Sequence, residues 1–376
     1  MTSPPQGRIT DYAVHTTPGM IHKPEQLARR LTSSLMRIKD GDQYNPILRP
    51  FMTLLNNMAG DKNAVHEPSV ADVLVVKAIL NKALSLPPEL VHSIIDQAEY
   101  WPHTTTIATF DGVIEPPGTV GRHVGCEDKF LLRAPPLGLR VDKWKLAYGG
   151  KHPPLHRRPL RPQPLGEEYS TDDFQTLTAA PPPLLAHPCR RIVFTIKSCD
   201  QGWGGEARDH PYHNSWTWFE AGVERWCKPA RDGSSQQTDA TSTSQQPQLP
   251  SMAVEDLCTV LPRVERKQNA DDAQGEEYVF VHPLHPNQDL MIQCNQTAQG
   301  EMKEHRVVWS YDDDVDPDDA EAADKLVRVG RGKATANGKF VRELRLGDVI
   351  TVWGHARFPG WTNLVDSARI DVYYAV

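Results

Sequence analysis

The chain of 376 residues reads as an α+β protein, with a short N-terminal helical segment followed by an antiparallel, jelly-roll-like β-sandwich. Three observations carry that reading. Apolar residues recur at three- and four-residue spacing between positions 70 and 101, as an amphipathic helix requires. From Arg191 onward the periodicity shortens, and short runs rich in Val, Ile, Phe and Trp alternate with glycine-bearing turns. Two aromatic cassettes stand out among those runs. Arg191–Gly205 leads on to Ser215-Trp-Thr-Trp-Phe219, and Gly347–Trp353 leads on to Ala356-Arg-Phe-Pro-Gly-Trp-Thr-Asn363. Seven of the nine tryptophans lie from Trp203 onward, so the folded core belongs in that half.

Taken in order, residues 1–25 are polar and proline-bearing and read as a disordered tail. Residues 26–105 read as a helical segment. Leu27, Leu31, Leu35 and Met36 set its first stripe. Ser69 is a candidate N-cap with Asp72 three residues on, ahead of Val73, Val76, Ile79 and Leu80. That helix must end before Pro87, because a residue preceding proline is pushed out of the α region. Pro88 suits the first turn of a second helix, with Leu90, Val91, Ile94 and Ile95 as its apolar stripe. Residues 106–188 read as a connecting region, since residues 151–188 hold nine prolines, although Thr104–Phe110 and Phe130–Arg133 have strand character.

The sandwich is expected over 189–376, with a polar, low-complexity insert at 229–250 read as disordered. Its strands are Arg191–Lys197, Val260–Val264, Glu277–His282, Asp289–Cys294, Val307–Trp309, Phe340–Leu346, Val349–Trp353 and Ile370–Val376.

Composition excludes more than it selects. A net charge of -7 leaves no electrostatic footprint for nucleic acid. No apolar run approaches the ~20 residues that span a bilayer, and the N-terminus lacks the pattern of a secretory signal. Six scattered cysteines without a C-x-x-C pair suit free thiols in a reducing compartment, so cytoplasm or nucleus is expected. Asn295-Gln-Thr297 is a formal glycosylation sequon, silent in such a compartment.

The segment Leu86-Pro-Pro-Glu-Leu-Val-His-Ser-Ile-Ile95 resembles the first helix of an F-box, the module that docks substrate adaptors onto Skp1 in cullin ubiquitin ligases. The resemblance implies a Skp1-like partner bound through residues 86–101, with Leu86, Pro87, Leu90, Ile94 and Ile95 in the contact. After Tyr100-Trp101-Pro102 the pattern departs from an F-box, and the same residues would equally make a capped helix in any core. The wider arrangement resembles an uncharacterised group of fungal proteins. The shared motifs are Ala98-Glu-Tyr-Trp101, Ser198–Gly205, Ala356–Trp361 and the tail Ile370–Val376. That resemblance covers roughly residues 70–105 and 190–376 and implies almost nothing about function.

Asp200, Trp203, Arg357, Trp361 and Asn363 form the candidate ligand patch. A flat ring beside carboxylate and amide groups suits a sugar or a peptide edge, and neighbouring first and last strands would bring the two turns together. The alternative is structural, with the rings plugging the end of the sandwich and Asp200 capping a turn. Arg357 is expected either to stack on an aromatic ring or to pair with Asp200.

Asp209-His210-Pro-Tyr-His213 lacks the paired spacing of a zinc site, and the acidic run 312–319 lacks the glycine and terminal glutamate of a calcium loop, so no metal is expected. Nucleotide-binding and serine-hydrolase motifs are missing, so no cofactor and no catalytic residue is assigned. A thiol–imidazole pair drawn from Cys199 or Cys227 and His210 or His213 is the only nucleophile the sequence offers. The leading expectation is a non-enzymatic adaptor with a recognition sandwich that takes an unknown protein or glycan. A carbohydrate- or small-ligand-binding sandwich is the alternative, and an unrecognised hydrolase the third.

Overall fold

The computed structural model describes residues 67–115, 126–139, 162–175, 187–205, 209–228, 256–267, 277–283 and 290–376. The tail 1–25, the helix expected around Leu27–Met36, most of the proline-rich stretch and the insert 229–250 lie outside the described residues. The chain divides into two compact units, one running from Thr105 to Val372, the other comprising the described residues up to Thr104 with Tyr373–Val376.

In the smaller unit, helix α1 (Val70–Ala78) opens on the capping box foreseen at Ser69. The Ser69 hydroxyl accepts from the Asp72 amide at 3.2 Å, while the Asp72 carboxylate accepts from the Ser69 amide at 2.9 Å. A π-helical turn, Ile79–Ala83, ends it ahead of Pro87. Helix α2 (Pro88–Gln97) starts on its proline, and Val91, Ile94 and Ile95 are buried along one face. The Trp101 indole donates to Asp96 at 2.9 Å, and burial pushes the Tyr100 phenol up to about 12.

The larger unit is the sandwich. Strands β1 (His103–Ile114), β2 (Cys126–Arg133), β3 (Cys189–Cys199) and β4 (Thr217–Trp226) come first. They are followed by β5 (Leu257–Leu261), β6 (Arg263–Arg266), β7 (Tyr278–Val281) and β8 (Met291–Cys294). The last are β9 (Lys303–Ser310), β10 (Val349–Arg357) and β11 (Asn363–Tyr374). One sheet has the order β1-β11-β3-β9 and the other β2-β10-β4-β5, with β8 also pairing with β4. β1 to β4 and β8 to β11 alternate between the two sheets, whereas β4, β5 and β8 all belong to the second. β1 and β2, which the sequence placed outside the sandwich, supply a strand to each sheet.

Two local expectations change. The run Val260–Val264 is not one strand, because Pro262, joined by a cis peptide, separates β5 from β6. β6 and β7 then form their own two-stranded ribbon. The run Phe340–Leu346 is not a strand. Lys339–Glu343 is a short helix, and the buried residues Val341 and Leu344 are three apart, as a helical turn requires. Two further helices complete the unit, Thr171–Gln175 and Ala320–Arg328. The second is N-capped by Asp319 of the acidic run, which accepts from the amides of Glu321 and Ala322.

Candidate functional site

The central strand β10 has two unlike faces. Ile350, Val352, Gly354 and Ala356 point one way, Thr351, Trp353, His355 and Arg357 the other. A Cβ built on Gly354 would lie 2.6 Å from the Ile114 side chain of the opposite sheet, so the small aliphatic row faces the space between sheets. The polar and aromatic row faces outward, yet all nine residues of β10 are buried. Register extends that outer row across three strands. Trp353 pairs with Phe130 and Glu220, and His355 with Asp128 and Trp218. The β6–β7 ribbon and the chain that leaves it cover this face. Phe280 meets the Trp353 ring edge-on at 5.3 Å, His282 meets it at 4.7 Å, and the Pro283 carbonyl accepts from Arg357 at 2.8 Å.

Gly222 of β4 makes room for this packing. A Cβ there would come within 2.4 Å of the Thr351 hydroxyl and 2.6 Å of the Leu261 carbonyl. A glycine is therefore required for close approach.

His355 lies at the middle of the covered face and is fully buried. Its Nδ1 is 2.7 Å from Asp128 Oδ1, its Nε2 is 3.4 Å from Glu220 Oε2, and its ring stacks on Trp218 with centroids 5.0 Å apart. Nε2 has no hydrogen-bond partner among the described residues. His282 approaches edge-on at 5.0 Å. Arg357 lies over the Trp218 ring and places Nη1 2.7 Å from Asp128 Oδ1. Burial alone would raise the Asp128 pKa, but the hydrogen bond and charge of His355, with His282 and Arg357, hold the carboxyl well below the usual range. An ionised Asp128 can only accept, which makes His355 Nδ1 the donor of their hydrogen bond. Glu220 moves oppositely. Burial raises its pKa against the pull of His355, the Trp218 indole bond at 3.2 Å and Arg357. Two carboxyl groups on either side of one imidazole are thus driven apart, the pattern of a site able to move a proton.

Beside this cluster a pocket of about 360 Å³ opens between sheet and ribbon. Glu220, His282 and Trp353 supply its polar and aromatic wall, Leu261, Val281 and Leu290 its apolar wall, and Arg263 also lines it. One donor atom from each of Asp128, His282 and His355 lies within 4.8 Å of the other two.

The tryptophan turns are built differently. β3 and β11 are neighbours, so the two cassettes reach one end of the sandwich. A Cβ on Gly205, whose φ is +72°, would stand 3.2 Å from the Trp361 ring, and one on Gly360 would stand 3.3 Å from the Trp203 ring. Gln201 accepts from the Thr362 amide at 3.0 Å, tying turn to turn. Asp200 is fully buried and accepts from the amides of Gly202 at 2.8 Å and Ala298 at 2.6 Å, with Gln299 a third donor. Asn363 is buried in a network with Asn295 and the His355 carbonyl. Of the five predicted residues, Trp203 is exposed at 63 %, Trp361 half-buried, and Asp200, Asn363 and Arg357 buried. Arg357 does not pair with Asp200; its partners are Asp128 and the Trp218 ring. Asn295 of the sequon is itself fully buried.

Elsewhere, His210 accepts from the Tyr212 amide and His213 stands 3.9 Å from Asp209, so that loop turns in on itself. Burial raises the Cys199 thiol, opposite to what a nucleophile needs. On α2 and the residue pair before it, Ile94 and Ile95 are buried, Leu86 and Leu90 half-buried, and Pro87 exposed.

Sequence reasoning assigned no site role to Asp128, Glu220, His282 or His355. The missing signal was the alternation in Thr351-Val-Trp-Gly-His-Ala-Arg357 and Trp218-Phe-Glu-Ala-Gly222, where polar and aromatic residues take every second place. No family model, no curated protein and no solved structure matches the chain.

Proposed function

We propose that the sandwich binds a small polar ligand in the pocket between the β2-β10-β4 sheet and the β6–β7 ribbon. The observation that carries this reading is the wall shared by pocket and buried cluster: Glu220 and His282 belong to both. The volume of about 360 Å³ falls in the range of small-molecule sites, and a few polar groups on an apolar wall give orientation without flooding the site. Burial raises the Glu220 pKa and so favours its neutral form, and Arg263 supplies a cation on the same wall. Hydroxyl- or carbonyl-bearing ligands such as sugars fit that set.

Thermal-shift screening with a glycan and metabolite panel tests the proposal. Wild type and Trp203→Ala should respond to the same compounds, while Leu290→Trp, which fills the pocket, should not. Loss of the response in Trp203→Ala alone would move the ligand to the tryptophan turns, and a null screen of folded wild type would sink the reading. Docking of a Skp1-like partner by Leu86, Pro87, Leu90, Ile94 and Ile95 remains a separate proposal resting on the F-box resemblance. Its test is Skp1 capture by wild type and not by Leu90→Asp.

A further inference from the structure

We propose that Asp128, His282 and His355 form a binding site for a divalent transition-metal ion. The proposal goes beyond the ligand reading and stands whether or not the pocket takes a small molecule. It also departs from the sequence, which offers no paired-ligand motif, because the three residues come from β2, from the residue after β7 and from β10. Only the fold assembles them.

Four observations support the site. The donor atoms lie within 4.8 Å of one another. Two ligands of one tetrahedral ion, each bonded at about 2.0–2.2 Å, stand roughly 3.3–3.6 Å apart, so any pair near the 4.8 Å limit must close by about an ångström as the ion binds. Two imidazoles and one carboxylate are a donor set suited to Zn, Fe or Mn rather than to Ca or Mg. His355 is fully buried, and its Nε2 has no hydrogen-bond partner among the described residues. His282 lines the pocket, which gives an ion a path inward. If His355 ligates through Nδ1, the proton now shared with Asp128 leaves to solvent as the ion enters. If it ligates through Nε2, Asp128 must give up its hydrogen bond to Nδ1 to reach the ion.

The experiment uses the full chain, free of any tag and stripped with a chelator, titrated calorimetrically with ZnCl2 and followed spectroscopically with CoCl2. One ion per chain is expected. His282→Ala and the near-isosteric Asp128→Asn should each weaken binding by more than the ~10–100-fold that loss of an outer-shell partner costs. His213→Ala, in the other histidine loop, should bind as wild type does. X-ray absorption at the zinc edge of wild type needs no variant and should find imidazole and oxygen neighbours. Wild type that takes up no ion overturns the proposal. So do folded His282→Ala and Asp128→Asn proteins that bind normally, or sulfur in the zinc shell, which would place the ion at a cysteine.

Discussion

The tryptophan turns and the outer face of β10 are both rich in aromatic and charged residues, but their polar groups end in different states. At the turns, Asp200 spends its carboxylate on the amides of Gly202, Ala298 and Gln299, and Asn363 is bonded to Asn295 and to a strand carbonyl. That end of the sandwich is a closed joint. On the outer face, His355 has Asp128 on one nitrogen and, among the described residues, no hydrogen bond on the other, and Glu220 beside it faces a pocket. Buried polar atoms are nearly always satisfied, so an unsatisfied one beside a cavity marks the place where something else can bind. Content of rings and charges does not separate a joint from a site; the hydrogen-bond account does.

The contrast can be broken most sharply at Asp200. Asp200→Ala would leave the turn amides of Gly202, Ala298 and Gln299 without their buried acceptor, and the loss should be on the order of 3–5 kcal/mol in urea unfolding, with the pocket response kept in the folded fraction. A loss below about 1 kcal/mol would show that the turns are not the joint described.

A buried imidazole without a carboxylate provides the control for His355. His305 is packed edge-on to Tyr212, and its Nε2 has no hydrogen-bond partner among the described residues. Burial, with Lys303 nearby, depresses its pKa from 6.5 to about 4. The folded state therefore binds this proton less readily than the unfolded chain does. Its contribution is present above pH 6.5 and is lost as the pH falls toward 4. The full loss is about 3 kcal/mol. The difference between the stability curves of wild type and His305→Phe should open in that window. Parallel curves from pH 7 to 4 would refute it.

The smallest effect belongs to Trp203. With its ring 63 % exposed, Trp203→Ala should change stability by no more than about 0.5 kcal/mol in the same urea assay. A larger loss would mean that its edge against Gly360 braces the turn.

Much of the fold was legible because its signals are local. Ser69 with Asp72, and Pro88 at the start of α2, announce helix ends through bonds that span three or four residues. The sandwich strands were legible as short apolar runs. Phe340–Leu346 misled because a brief alternation resembles a strand, while the burial of Val341 and Leu344 that makes it helical depends on packing. Val260–Val264 misled because Pro262 was passed over as a strand breaker. The pocket was illegible for another reason. Asp128, Glu220, His282 and His355 stand far apart in the chain, and no short motif links them.

The amino-acid sequence alone determined the class of the protein, the helix starts, most strand positions and the pairing of tryptophan with glycine turns, since each depends on neighbours in the chain. Only the tertiary structure decided which face of β10 would be covered. Its outer row could have faced water. The β6–β7 ribbon folds over it, removes water from Asp128, Glu220, His282 and His355, and so turns four ordinary polar residues into one coupled site.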